Sequence, residues 1–179
     1  MKKVFVGGSR RISRLNDMLR KRLDQIVDKN LQVLLGDANG ADKAVQAYLD
    51  ERGYRNVQVF CSAGECRNNV GSWEVKSIKP PHSRRDFEFF TAKDAAMAEE
   101  ADVGLMLWDG ESSGTVVNAA RLIAAGKPVV VYVSAEKRFL TVKSQSDLES
   151  LLSPCPAEIR HRIDRYVAQH AVFQPPMFR

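Results

Sequence analysis

Between the apolar run Val103–Leu107 and a segment of helical periodicity lie Asp109-Gly110-Glu111-Ser112-Ser113-Gly114-Thr115, a cluster of carboxylates, hydroxyls and glycines. A turn of this composition feeding a helix suits phosphate or ribose oxygens. The first helical N–H groups have no intrahelical acceptor, and the helix start carries a partial positive charge. The serines could also act only as helix caps, but a cap requires one serine. Ser112, Ser113, Gly114 and Thr115 are therefore ligand-binding candidates, and Asp109 at the strand edge is a binding or catalytic candidate.

Two further glycine turns follow apolar runs in the same way. Gly7-Gly8-Ser9-Arg10 offers close backbone approach, a hydroxyl and a guanidinium, or simply a tight turn with an N-cap. In Gly36-Asp37-Ala38-Asn39-Gly40-Ala41-Asp42, Asp42 falls in the first turn of a helix, where the dipole favours a carboxylate. Asp37, at the strand end, could bind a ribose hydroxyl, orient an arginine or act in catalysis. Neither turn is G-x-G-x-x-G or a Walker loop, so an ordinary NAD enzyme or phosphate-loop ATPase is disfavoured and no cofactor is expected. Lys93 and Asp94, with Glu65 and Glu74 on a long loop, are further candidates for chemistry.

The elements that must position these turns follow from periodicity. Short apolar runs at 4–6, 33–35, 57–60, 103–107 and 129–133 alternate with helical stretches, which implies parallel strands joined by right-handed crossovers. The expected fold is α/β: a Rossmann-like three-layer α/β/α sandwich with a mainly parallel five-stranded sheet in the order 3-2-1-4-5. Ligands in such sheets sit beyond the carboxyl ends of the strands, at the switch point between strands 1 and 4. Residues 61–85 read as a long loop with a short edge strand near Trp73–Val75. Residues 138–142 read as another edge strand, and 146–151 and 156–170 as helices. A Rossmann-like unit is expected over 1–135, with 136–179 as an extension packed on it or in an oligomer interface.

Composition bounds the function. The chain of 179 residues is 44% hydrophobic and 27% charged, ordinary globular usage, and contains no apolar stretch of membrane-spanning length. The opening MKKVFVGGSR has an apolar run too short for a signal peptide, so a cytoplasmic location is expected. Cys61, Cys66 and Cys155 match neither C-x-x-C nor the paired spacing of zinc sites; His82 could join Cys61 and Cys66 at a metal, but three scattered ligands are a weak set, so reduced thiols and no metal are expected. The net charge of +5 draws on Arg10, Arg11, Arg14, Arg20, Lys21 and Arg22 and on arginines at 160, 162, 165 and 179. These alternate with acidic residues, as on a solvated surface, and the first helix lacks the interleaved aromatics that accompany nucleic-acid binding.

"GGSR", "GDANGADKAV", "KDAAMAEEAD" and "WDGESSGTVVNAARLIAAGKPVVVY", in this order over residues 3–133, resemble the SLOG superfamily. That Rossmann-like group includes the cytokinin-activating phosphoribohydrolases and is similar to the nucleoside 2-deoxyribosyltransferases. The resemblance implies a pocket for a nucleotide or nucleotide-derived ligand built from Gly8, Ser9, Gly36, Gly40, Asp42, Asp109, Ser112, Gly114 and Thr115. It also implies a homo-oligomer. One departure is decisive for chemistry: where the hydrolase and transferase relatives carry a catalytic glutamate, this chain has Asn118, and an amide is neither nucleophile nor base. The "PGGxGT" turn of the phosphoribohydrolases is likewise "GESSGT" here. A sensor or binding module is expected, with N-glycosidic cleavage by a displaced carboxylate as the alternative and nucleic-acid binding as a third reading.

Overall fold

The β-branched and apolar runs form seven strands, and the periodic segments between them form six helices, in a computed structural model that describes residues 1–171. Arg179 lies outside the described residues. The strands are β1 (Lys3–Gly8), β2 (Gln32–Leu35), β3 (Val57–Ser62), β4 (Glu74–Ile78), β5 (Val103–Trp108), β6 (Val129–Val133) and β7 (Arg138–Val142). They form one sheet in the order β4-β3-β2-β1-β5-β6-β7. All neighbours are parallel except β6 and β7, which a tight connection joins as an antiparallel pair. The five inner strands have the order expected from the sequence. The sheet is wider than five strands because both edge segments pair: β4 emerges from the long loop and β7 extends the far edge.

The helices are α1 (Asp17–Asp28), α2 (Ala41–Glu51), α3 (Phe87–Glu100), α4 (Ser113–Ala124), α5 (Gln145–Leu152) and α6 (Ala157–His170). Side chains along β1 alternate between two cores, as the two-residue repeat of a strand requires. Val4 and Val6 join Leu19, Leu23, Val45 and Leu49 of α1 and α2, whereas Phe5 joins Met97, Val116 and Leu122 of α3 and α4 on the opposite face. Polar side chains mark the helix starts. Asn16, Asp86 and Ser112 accept from the N–H groups of Leu19, Phe89 and Thr115, and Ser144 forms a capping box with Asp147. Among the described residues, no helix is long and apolar enough to cross a membrane.

Residues after β6 share this framework. β7 continues the sheet, and Leu148, Leu151, Leu152 and Ile163 of α5 and α6 enter the α3–α4 core. Ile163 is fully buried. Ile163→Ala should cost about 3 kcal/mol through lost burial and a cavity; urea unfolding followed by circular dichroism checks this, a loss under 1 kcal/mol meaning that α6 only rests on the surface.

Candidate functional site

Strand order reverses between β1 and β5, so the helices after these strands leave on opposite faces and a cleft opens at their carboxyl ends. Its volume is about 650 Å³. The turns after β1 and β5 form one side, and the first turns of α3 and α4 form the other.

The two turns brace each other. The Ser9 hydroxyl donates to Asp109 Oδ2 at 2.7 Å and accepts from the Arg11 N–H at 3.1 Å. Asp109 Oδ1 accepts from the N–H groups of Glu111 and Ser112 at 3.0 and 2.8 Å. Burial alone would push the Asp109 carboxyl up, but the Ser9 hydroxyl and these N–H groups hold it below the usual carboxylate range. Ser112 Oγ accepts from the Thr115 N–H and from its hydroxyl, at 3.4 and 2.9 Å. Ser113 and Gly114 then present first-turn N–H groups along the cleft, before any intrahelical acceptor exists. A Cβ on Gly114 would meet only the Phe87 ring, at 4.0 Å, so there is room above this helix start.

The floor is ionic. Lys93, whose side chain is only 5% exposed, pairs with Asp94 Oδ1 at 2.6 Å. Asp94 Oδ2 accepts from the Asn118 amide at 3.2 Å, and Asn118 Oδ1 accepts from Arg121 at 3.1 Å. Asp42, in the first turn of α2, faces the same ammonium. Burial favours neutral Lys93, but Asp94 and Asp42 outweigh it and hold the ammonium's pKa above its ordinary value. Of the two carboxyls, that of Asp42 is the more deeply buried. Burial raises its pKa to about 6 despite Lys93, with Asp94 adding repulsion. The cleft floor thus carries a carboxyl group that exchanges its proton just below neutrality.

Several expected residues lie elsewhere, for packing reasons. Gly36, Asp37 and Gly40 are not in the cleft lining, whereas Gly7, Gly8, Ser9, Arg10, Asp42, Asp109, Ser112, Ser113, Gly114, Thr115 and Asn118 are. A Cβ on Gly36 would lie 2.9 Å from Lys93 Nζ, so this glycine makes room for the ionic floor. A Cβ on Gly8 would press on Leu107 and Ala41 at 2.7 and 3.0 Å, so Gly8 allows α2 to sit close to the sheet. Gly40, at φ +83°, packs on the Arg10 backbone. Asp37 is held by Arg67 through its side chain (2.8 and 3.3 Å) and its N–H (3.0 Å), and these bonds outweigh burial and keep its pKa low. It lines a second cavity of about 370 Å³ with Glu65, Cys66 and Arg67, and Phe90 and Arg85 border both cavities. Glu74 is an exposed residue of β4.

The long loop, the first turn of α3 and the tail supply residues that the sequence reading missed. Phe87, Phe90 and Tyr166 line the cleft beside Arg85 and Arg162. The Phe87 ring meets Tyr166 edge-on at 5.0 Å, and the Arg67 guanidinium lies 5.4 Å from the Phe90 ring. The run Phe87-Glu88-Phe89-Phe90 carried a signal: three aromatics within one helical turn point in more directions than one core can bury. Arg67 carried none.

The reduced-thiol expectation is corrected for two cysteines. Cys61 and Cys66 form a disulfide with Cα atoms 5.2 Å apart, because the turn after β3 folds back on itself; Cys155 is free. His82 does not join them and pairs with Asp86 and Glu88 at the start of α3. The Sγ atoms and an Asp37 oxygen lie within 4.8 Å of one another, yet the sulfurs are bonded together and the carboxylate is bound by Arg67. On α1, Arg20 and Arg22 lie over the rings of Tyr48 and Phe139, at 5.4 and 4.5 Å.

No protein-family model matches the chain, and no curated protein matches it.

The raised pKa of Asp42 makes a signed prediction. An aspartate whose folded pKa exceeds its unfolded value binds the extra proton in the native state, so its contribution weakens as pH rises from about 4 to about 6 and is constant above. Relative to wild type, Asp42→Asn should therefore lose this falling limb between pH 4 and 6. Thermal melts across that range check it; an unchanged slope would place the proton elsewhere.

Proposed function

We propose that the cleft binds a nucleotide or nucleotide-derived ligand and that the protein works as a sensor or binding module of the SLOG type. The supporting observation is a convergence in one cleft of a helix start with open space above it, an unengaged guanidinium and stacking surfaces. A phosphate fits the first turn of α4 at Ser113 and Gly114. Arg10 lines the same cleft and, among the described residues, has no ion-pair partner. Phe87, Phe90 and Tyr166 supply faces for a base. Asp109, Ser9 and Thr115 shape the turn in this reading: Ser9 bonds Asp109, Asp109 accepts from the Ser112 N–H, and Thr115 bonds Ser112.

Calorimetric titration with nucleoside mono- and diphosphates tests the reading. Binding is expected, with Arg10→Ala weakening it about tenfold, the share of one charge-assisted hydrogen bond. No heat across the panel, together with no nucleotide retained in native mass spectra, would overturn it. The same spectra give the subunit count: a homo-oligomer belongs to this reading, with Val70 and Val75 as apolar surface left exposed near edge strand β4, and a 20 kDa species alone would remove it.

One observation favours N-glycosidic cleavage as a second reading. A carboxylate, Asp94, touches the Asn118 amide on the cleft floor, so an acid–base group stands beside the position where the resemblance implies a glutamate. Of the earlier candidates, Asp37 is outside the cleft and Asp109 is consumed by its turn. Release of free base from a nucleoside monophosphate, falling at least 100-fold in Asp94→Asn while binding persists, is the outcome of this reading; binding with no base released leaves the module alone.

A further inference from the structure

We propose that Cys61 and Cys66 form a reversible redox-modification site whose disulfide latches residues 61–70 onto the Gly36–Asp42 turn. Three sets of contacts carry this. The covalent link closes a short loop in which Ala63 is held at φ +60° and Gly64 at +95°. A left-handed alanine is disfavoured by its Cβ and persists only where its surroundings impose it. Here the imposing bonds are the disulfide, the Ala63 N–H to Ile78 O at 3.0 Å and the Gly64 N–H to Ser77 Oγ at 2.9 Å.

The residue after Cys66 begins the latch. Arg67 grips the buried Asp37 carboxylate at 2.8 Å, and Asn68 donates to Asp37 O at 2.8 Å and to Asn39 Oδ1 at 3.0 Å. Gln46 of α2 donates to both Gly36 O and Asn68 O, at 2.8 and 3.2 Å, and accepts from the Val70 N–H at 2.9 Å. The Arg67 and Asn68 bonds join the loop directly to the turn that carries Asp37, and Gln46 of α2 links the Gly36 end of that turn to Asn68 and Val70 of the loop. The Arg67 guanidinium also lies over Phe90, which faces the cleft. Relaxation of the loop therefore reaches the cleft from two sides.

The two sulfurs differ in access. Cys61 is fully buried in β3, whereas Cys66 is partly exposed and lines the second cavity. A dithiol reductant attacks at Cys66: its thiolate bonds to that sulfur, the Cys61–Cys66 bond breaks, and Cys61 leaves as a thiolate that takes up a proton. The reductant's second thiol then displaces Cys66. Two electrons and two protons reach the protein pair, and the dithiol becomes a disulfide.

The full-length protein, oxidised or treated with dithiothreitol, is alkylated and mapped by mass spectrometry, and amide hydrogen exchange is measured in both states. Cys155 should be alkylated in both and Cys61 and Cys66 only after reduction. Exchange in 62–70 and 36–40 should rise at least tenfold on reduction and return on reoxidation, while β1, β5 and β6 stay protected. Cys66→Ser should exchange fast without reductant, and Cys155→Ser should respond to reductant as wild type does. Equal exchange in the two states overturns the proposal, as does a pair that yields to the dithiol only when the whole chain unfolds. If Cys66→Ser does not fold, the comparison of oxidised and reduced wild type decides alone.

Discussion

A lysine ammonium beneath the carboxyl ends of a parallel sheet is the constraint to which the surrounding elements answer. Lys93 is almost wholly buried, and a charge in that position is tolerable only with partners held at hydrogen-bond distance. Asp94 of α3 meets this demand and is itself tied in place by Asn118 of α4, while Asp42 of α2 adds its charge from farther off. β2 must end in a residue without a side chain for the ammonium to fit, and Gly36 is there. The cluster gathers residues of α2, α3 and α4 on one floor, where burial raises the Asp42 carboxyl to about 6 despite the ammonium nearby.

Against this floor, the cleft separates groups that hold the structure from groups that remain on offer. Ser9, Asp109, Ser112 and Thr115 use their polar atoms on one another. A turn so braced keeps its shape when empty, and preorganisation of that kind lowers the cost of binding. What it leaves available is the start of α4, the guanidinium of Arg10 and aromatic faces from α3 and α6. This division is why the proposed reading is binding and not chemistry at Asp109.

The long connection between β3 and α3 is a second layer of the same site. It contributes an edge strand, a cavity that shares a wall with the cleft, and the Arg67 clamp on Asp37. The burial of Asp37 beside a guanidinium explains a carboxylate at a strand end without any ligand.

The sequence by itself determined the alternation of strands and helices, the order of the inner five strands and the turn at Asp109–Thr115, because apolar periodicity and helix-start chemistry are local properties read a few residues at a time. Only the tertiary structure decided that Gly36, Asp37 and Gly40 serve packing and an internal ion pair, that Lys93 is buried between carboxylates from two helices, that Cys61 meets Cys66, and that Arg67 and Tyr166 reach the site from segments distant in the chain. Each of these depends on which elements the sheet order brings side by side, and whether a polar residue faces a ligand or another residue is settled by neighbours that no local window contains.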